Sequence, residues 1–577
     1  MKSQKKNTKS SLRCWFVIFL FLICVFTLSS RAVYLQLLEG ESLRERGDDI
    51  AIRVVDVSAH RGAIVDRNGE QLAVSTPVDS IWAEPRKLLK EKDLQILASL
   101  LGRSEKEFRN FLNVRIKRDF VWLKRHAHTN LVKEIKRMDL KGVSTQSEYK
   151  RYYPAAEVTA HVIGVTNVDD EGQEGIELAY NKLLKGKSGK KRVLKDRLGR
   201  IVRDVENVKS SVPGAELKLS IDKRIQFLAY RELALAVRNH QAISGTLVML
   251  DVKTGEVIAM VGQPSFNPNN RSWLKNTARN RSITDVFEPG STMKVFTIAA
   301  GLESGIFTPQ TEIDTSPGIF KVGKYSISDH RNFGQIDVTT VITKSSNIGA
   351  TKIALALKPE YFYNFLSKFE FGKTTGSVFP GERSGSLRSL DTWTERNIAS
   401  LSYGYGLEVT SLKLAHAYSI IANNGIKLPI SFIKTDNPIQ GEIVIHKKIA
   451  KQLRDMLETV VSTEGTASKA AIKGYRVIGK TGTAYKFDPK GGYYDDRYRS
   501  LFVGIVPASN PRFVTVVTID EPNKDLGHFG GAVAAPVFAR VMESTLRILN
   551  IPPDNLSNFK KPIIASNNKD KILQRYK

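Results

Sequence analysis

A chain of 577 residues is too long for one domain and, at about 100–200 residues per domain, implies about two to four. Its 41% hydrophobic and 25% charged residues are ordinary for a globular protein and exclude long disorder away from the ends. The formal charge of +28 would suit anionic lipid or nucleic acid. No zinc finger, RNA-binding signature or basic helix with interleaved aromatics accompanies it, so it reads as a solvated basic surface near anionic lipid, with no nucleic acid as partner.

Lys2, Lys5, Lys6, Lys9 and Arg13 precede 17 uncharged residues, Cys14 to Ser30. As a helix this run is about 25 Å long, near the lower limit for a membrane span. The apolar pattern resumes past Arg31 with Ala32, Val33, Tyr34 and Leu35, and a long arginine side chain can reach back to the interface. A transmembrane helix is therefore expected over 14–36. Residues 1–13 form a cytoplasmic tail, and the basic N-terminal flank puts everything after the span outside. Ser29-Ser30-Arg31-Ala32 is a poor cleavage site, so the helix reads as an uncleaved anchor. The two cysteines, Cys14 and Cys24, both lie in the span. The rest of the chain holds no disulfide framework, which suits an oxidising compartment. The nine histidines show no HExxH and no Cys/His ligand spacing, so neither metal nor cofactor is expected.

Ile52 to Val74 has strand-like alternation, and Asn68-Gly69 within it signals a two-residue hairpin. Residues 85–140 carry helical, charge-rich segments such as 87–102 and 131–138. Between about 185 and 214 the composition turns to Lys, Gly, Ser and Val and ends in Ser211-Val212-Pro213-Gly214, which places a domain boundary there. Beyond it, Ile221 to His240 reads as an amphipathic helix and Gly245 to Val261 as two strands around Lys253-Thr254-Gly255. Residues 291 to about 425 read as helix-rich, and Tyr475–Ala484, Leu501–Val506 and Arg512–Ile519 as late strands. Strands, inserted helices, then strands again form an α+β pattern around an antiparallel sheet. The tail from 554 to 577 is basic and without apolar period.

Three short motifs could carry chemistry. A serine and a lysine at i and i+3 share a helix face, so the amine can take the hydroxyl proton if its pKa is lowered. Ser-x-x-Lys occurs nine times, but only Ser291-Thr292-Met293-Lys294 follows a Pro289-Gly290 turn and opens an apolar helix. There the helix N-terminus favours developing negative charge. Ser345-Ser346-Asn347 alone would be an ordinary turn or cap. Lys480-Thr481-Gly482-Thr483 follows a strand pattern and offers a cation, two hydroxyls and backbone donors suited to a carboxylate and an oxyanion. The other Lys-Thr-Gly, at 253–255, reads as a hairpin turn.

In this order the three motifs resemble those of the penicillin-binding transpeptidases and serine β-lactamases. The flanks Thr284 to Gly290, Gly381-Glu382-Arg383-Ser384-Gly385, Ser402-Tyr403-Gly404-Tyr405-Gly406 and Ala471-Ile472-Lys473-Gly474-Tyr475 are similar to the septal, class B branch of proteobacterial type. In the first half, so are Arg61 to Gly69, Tyr153-Pro154, Ala160 to Gly164 and Glu174-Gly175. The resemblance implies an elongated, mostly β pedestal over 37–214 and a transpeptidase domain over 215–553, an antiparallel sheet with helices on both sides. It implies Ser291 as nucleophile towards D-Ala-D-Ala stem pentapeptides, Lys294 as general base, Ser345 as proton relay, and Asn347 and Lys480 as further catalytic groups. It implies Thr481, Gly482 and Thr483 as the carboxylate and oxyanion site, the backbone N–H groups of Ser291 and Thr483 forming the oxyanion hole. β-Lactams would acylate Ser291. The implied partners are the lipid II-polymerising glycosyltransferase FtsW and other divisome membrane proteins, at the septum of a bacterial inner membrane with the catalytic domain in the periplasm. The elongation-specific relative shares the three motifs but carries other flanks. A fast hydrolase would need a water-activating base, and no Glu-x-x-x-Asn follows Ser345.

Overall fold

The computed structural model describes residues 8–43, 52–195, 201–270, 279–437 and 439–555. The N-terminal apolar run forms α1 (Thr8–Val33), continued by a π-helical turn over Tyr34–Leu38. The helix passes straight through Arg31, whose guanidinium lies 5.1 Å from the ring centre of Tyr34. All side chains from Leu12 to Tyr34 are exposed to the surroundings, and Leu12–Leu38 is long and apolar enough to cross a membrane. The first half of the cytoplasmic tail and nearly all of the basic C-terminal tail lie outside the described residues.

The rest divides into two compact units. One comprises 76–150 and 186–214 together with the chain up to His60. The other comprises 61–75, 151–185 and everything from Ala215 on. Segments 61–75 and 151–185, assigned from sequence to the N-terminal domain, thus belong to the C-terminal unit.

The first unit has its own core, built from Ile81, Leu94, Leu97, Phe108, Leu112, Leu123, Val132 and Ile135. Helices Leu94–Leu100, Glu105–Asn113 and Thr129–Arg137 supply most of it, the second opened by a Ser104/Glu107 capping box. The stretch read as helical also contains the strand Val121–Ala127, antiparallel to Asp79–Ala83. Its Lys124, Arg125 and His126 mask the alternation, but Val121, Leu123 and Ala127 turn inward. The Lys- and Gly-rich stretch after 185, where the sequence places a domain boundary, is itself stranded. Gly189–Lys195 and Ile201–Lys209 are strands joined to Ile52–Val57 in a three-stranded antiparallel sheet. A ribbon this exposed tolerates charge on both faces, and only Val193 of its described side chains is fully buried.

In the second unit, Asn68-Gly69 closes a wider turn than a two-residue hairpin. Val65 pairs with Gln71, and the Asp66 carboxylate accepts the N–H groups of Asn68 and Glu70 (2.7 and 2.9 Å). This Asx arrangement leaves Gly69 at φ 91° in a bulge. Downstream, α2 (Lys223–Asn239) is capped by Asp222, and β1 (Ser244–Asp251) and β2 (Val257–Gln263) form a hairpin whose turn is Lys253-Thr254-Gly255, as expected. The inserted region holds α3 (Lys294–Glu303), α4 (Val338–Lys344), α5 (Asn347–Leu355), α6 (Ser411–Ala422) and α7 (Lys447–Glu458). It also holds two small hairpins, 312–314 with 335–337 and 319–322 with 325–328. Strands β3 (Ile478–Phe487), β4 (Tyr493–Val506) and β5 (Phe513–Asp520) and helix α8 (Ala535–Ile548) complete it.

The sheet is antiparallel in the order β2-β1-β5-β4-β3 and is covered on both faces. A Cβ on Gly245 would meet Val237 and Leu233 of α2, and Phe502 packs on Phe538 of α8. On the opposite face Thr246 and Thr518 hydrogen-bond Ser411 of α6. With both faces dry, β1 is buried at all eight positions. Strand β3 is an edge, so half of its N–H and C=O groups point away from the sheet.

Candidate active site

Pro289 and Gly290 deliver the chain into a 3₁₀ turn, Gly290–Met293, that runs into α3. Gly290 has φ 54°, and a Cβ there would press on the Thr483 carbonyl and the Ala484 Cβ, each at 3.3 Å. The turn is pinned from both sides. Thr292 Oγ1 donates to the Pro289 carbonyl (2.8 Å), and the Tyr418 hydroxyl donates to that of Thr292 (2.7 Å). Beneath it, Phe296 is wholly buried and meets Phe369, Phe371 and Tyr418 edge-on at 5.0–5.4 Å. Ser291 stands half-exposed at the helix entrance, its hydroxyl bonded to no described residue.

Lys294, one turn on, is wholly buried. Its Nζ donates to the Ser345 carbonyl (2.5 Å) and to Asn347 Oδ1 (2.7 Å) and lies 3.2 Å from Ser345 Oγ. This reach depends on Ser345 having φ 60° between α4 and α5, a left-handed conformation unusual for a residue with a Cβ. It turns both the carbonyl and the hydroxyl of Ser345 towards Lys294. Asn347 Nδ2 donates to the Ser328 carbonyl (3.0 Å), which leaves Oδ1 aimed at the amine.

Lys480 comes from edge strand β3 and is also wholly buried. Its Nζ donates to Ser345 Oγ (2.9 Å) and to the Thr481 carbonyl (3.1 Å). Two amines therefore converge on one hydroxyl. Burial, and next the Lys480 charge, hold the Lys294 pKa well below the ordinary lysine range, against an opposing pull from Asp329. Burial lowers Lys480 to about 7. A neutral Lys294 has two N–H groups, enough for the Ser345 carbonyl and Asn347, and one lone pair left to accept a proton. Ser345 Oγ, taking a proton from Lys480, can donate its own to Lys294.

Gly482 lies where β3 passes the Ser291 turn; a Cβ would come within 3.0 Å of Thr292 Cγ2 and 3.1 Å of the Pro289 carbonyl. Thr483 Oγ1 accepts from the Gly530 N–H (3.1 Å), and Thr481 Oγ1 pairs with Thr466 Oγ1 (2.8 Å). Ser291, Asn347 and Thr483 line a cavity of about 680 Å³, whose walls also include Glu288, Arg388, Trp393, Tyr405 and Tyr493. The site thus gathers all eight sequence-predicted residues around one cavity and the buried amines behind it.

One supporting residue carries no sequence signal. Asp329 accepts from Ser346 Oγ and the Asn347 N–H, both at 2.5 Å, and from the Ile348 N–H at 3.2 Å. It fixes the start of α5, and so Asn347, and is the carboxylate whose charge acts on Lys294. It sits in a loop after a small hairpin, where no spacing marks it.

Comparison with known proteins agrees with this geometry. Residues 245–543 match the penicillin binding protein transpeptidase domain, and residues 56–219 the penicillin-binding protein dimerisation domain. The chain is 41% identical over 547 residues to the peptidoglycan D,D-transpeptidase FtsI of Escherichia coli K12, covering 94% of this chain and 92% of that one. To the probable peptidoglycan D,D-transpeptidase PbpC of Pseudomonas aeruginosa it is 40% identical, over 98% and 99% of the two chains. Among solved structures, penicillin-binding protein 3 of Mycobacterium tuberculosis in complex with aztreonam matches at TM-score 0.68 and 27% identity, over 86% of this chain and 98% of that one. The transpeptidase domain of Burkholderia pseudomallei penicillin-binding protein 3 matches at TM-score 0.54 and 44% identity, over 58% and 97%. With both domains matched and nearly its whole length aligned, the chain belongs to the penicillin-binding transpeptidases of class B.

Proposed function

We propose that this protein is a membrane-anchored peptidoglycan D,D-transpeptidase that cross-links stem peptides of the septal wall during cell division and is acylated by β-lactams. The observation that carries the reading is the pair of buried amines on Ser345, one of them also held by Asn347 and following Ser291 by one helical turn. Ser291 Oγ attacks the penultimate D-Ala carbonyl, and its proton passes to neutral Lys294. The backbone N–H groups of Ser291 and Thr483 receive the developing oxyanion; in a well-studied protease one such donor contributes ~10²–10³ in rate. Lys480 and Thr483, with Thr481 behind them on Thr466, face the terminal carboxylate. Ser345 carries the proton to the departing D-Ala nitrogen, leaving an ester on Ser291 that an amine of a second stem peptide resolves into a cross-link.

By the same reading the chain outside the membrane is periplasmic. The N-terminal unit docks FtsW and other divisome proteins.

The test is intact mass after incubation with fluorescent penicillin. One stable adduct per chain on the wild type, absent from Ser291→Ala, is expected. An adduct that survives the substitution would place the nucleophile elsewhere, and rapid turnover of the drug would indicate a hydrolase. Depletion in cells separates the two transpeptidase branches: filaments support the septal role, rounded cells the elongation role.

A further inference from the structure

The chain's basic charge is not spread evenly. Residues 185–209 hold ten Lys and Arg against three Asp and Glu, so 25 of the 577 positions carry +7 of the net +28. Within them Gly189–Lys195 and Ile201–Lys209 form, with Ile52–Val57, the antiparallel ribbon of the first unit.

The two faces of this ribbon differ. Val55, Val57 and Lys191 line a cavity of about 970 Å³ together with Trp82 and Phe120, and Val193 on the same face is fully buried. The other face carries Val54, Lys190, Arg192 and Lys209, all exposed. Val54 stands opposite Arg192, and Lys190 opposite Lys209. Arg192 is paired with Glu206 (3.3 Å). Lys190 has Asp56 on its other flank, yet neither it nor Lys209 forms an ion pair among the described residues. The same holds for the exposed Lys187, which bridges to Val212 beside the ribbon. Like charges directly opposite one another weaken a sheet, so two unpaired lysines in register are a cost unless an anion sits over both.

Apolar side chains are interspersed with these cations. Val54, Val208 and Val212 are 50–55% exposed. Small apolar groups among lysines suit the boundary between lipid headgroups and acyl chains. The ribbon is also tethered to that boundary. Its first strand opens at Ile52, 13 residues after the apolar helix ends at Leu38. Such a length of chain reaches at most about 45 Å.

We propose that the outer face of the ribbon rests on the bilayer surface and binds anionic lipid headgroups, with Lys187, Lys190 and Lys209 on the phosphates and Val54 and Val208 dipping between them. The helix α1 then supplies a permanent attachment and the ribbon a second, charge-dependent one, which holds the first unit at a fixed tilt to the membrane. The inference rests on α1 as a membrane anchor.

The experiment uses the full chain in nanodiscs of phosphatidylcholine, alone or mixed with phosphatidylglycerol, and follows lysine acetylation by a neutral ester through peptide mass spectrometry. In the anionic discs Lys187, Lys190 and Lys209 should react at least about fivefold more slowly at about 0.05 M salt and recover at about 0.5 M. Lys447 and Lys448, exposed in the second unit, should react alike in both lipids. The double variant Lys190→Glu/Lys209→Glu should lose the protection of Lys187 while its acylation by penicillin stays unchanged, which shows that it has folded. Equal rates in the two lipids overturn the proposal. So does slowing shared by Lys447 and Lys448, which would mean a general attraction of a basic chain. Protection already present in detergent overturns it too, since a second copy would then cover the ribbon. Chain that fails to stay with the discs would instead remove the anchor reading, and the lipid contact with it.

Discussion

Among the described residues three lysines are buried, Lys294, Lys413 and Lys480, and their environments assign them different work. In the proposed mechanism Lys294 must be neutral to serve as base. An ordinary lysine at 10.5 would make acylation rise roughly 100-fold between pH 7 and 9, because the neutral fraction grows tenfold per unit. With its pKa held well below that, the second-order rate of benzylpenicillin acylation should rise by clearly less than 100-fold over the same interval, measured by stopped flow. A 100-fold rise would mean that Lys294 is an ordinary amine. Because Lys294 and Lys480 share Ser345, the profile reports the pair rather than either alone. Lys413 lies outside the catalytic cluster. Its Nζ donates to the Thr374 carbonyl (3.2 Å) and stands 3.9 Å from Glu370, and burial lowers it to about 8. Between about 8 and 10.5 the unfolded chain binds the proton that the folded chain has released, so stability rises with pH in that window, by about 1 kcal/mol per unit. Lys413→Met should lack that slope, so the stability difference between wild type and variant in urea unfolding should change steadily from pH 8 to 10 and little between pH 7 and 8. Parallel stabilities across the series would place the titration elsewhere.

At the scale of elements, the site is an edge strand, a 3₁₀ turn and a helix junction held at close range by residues without side chains. Gly404 is the tightest of these. Its φ is 93°, and a Cβ would lie 2.1 Å from the Gly290 carbonyl, backbone that cannot swing aside. Gly406 has a similar φ of 82° but nothing within 4 Å of a Cβ. Gly404→Ala should therefore shift the Ser291 turn and, on the proposed mechanism, lower penicillin acylation by at least about 100-fold, on the scale of a displaced catalytic group. Gly406→Ala should cost only the left-handed strain, ~1–2 kcal/mol. Comparable acylation by the two variants would separate the clash from function. The sequence shows Gly404 and Gly406 as equals within Tyr403-Gly404-Tyr405-Gly406, since which glycine abuts Gly290 depends on packing between distant segments. Ser291/Lys294 was legible because its spacing is local and helical, whereas Ser345/Asn347, an ordinary turn or cap by itself, became legible only through its order with the other two motifs. Asp329 was not, because it acts through α5. The strand Val121–Ala127 and the ribbon Gly189–Lys209 were hidden for another reason: exposed strands carry charges that swamp the period of two, and their hydrogen-bond partners lie far along the chain.

For the whole molecule, anchor and charge act together. Removing residues 1–38 takes away six basic residues and no acidic one, which leaves a formal charge of +22. Without α1, the remaining chain should still adhere to vesicles rich in anionic lipid and should leave them as salt rises, since screening shortens to ~3 Å at 1 M. Vesicle cosedimentation at about 0.05 and 0.5 M salt reads this; binding that ignores salt would mean a second apolar attachment. The span and the α+β catalytic unit were readable from the sequence because both are repeats of one simple pattern, a long apolar run in the first case and alternating strands and helices in the second. The interleaved division into units was not, because composition shifts mark where a chain changes character and say nothing of where it returns.

That return sets a timetable for synthesis. Arg67 ends up hydrogen-bonded to Glu256, 189 positions later, and Ile64 pairs with Leu217. At ~5–20 residues per second the ribosome needs roughly 10–40 s to supply the first partner after the second-unit segment 61–75 has emerged. Until Leu217 is made, Ile64 has only Ala73 of its own segment to pair with. The newborn chain is thus expected to be most prone to aggregate before residues 291–483 of its site exist.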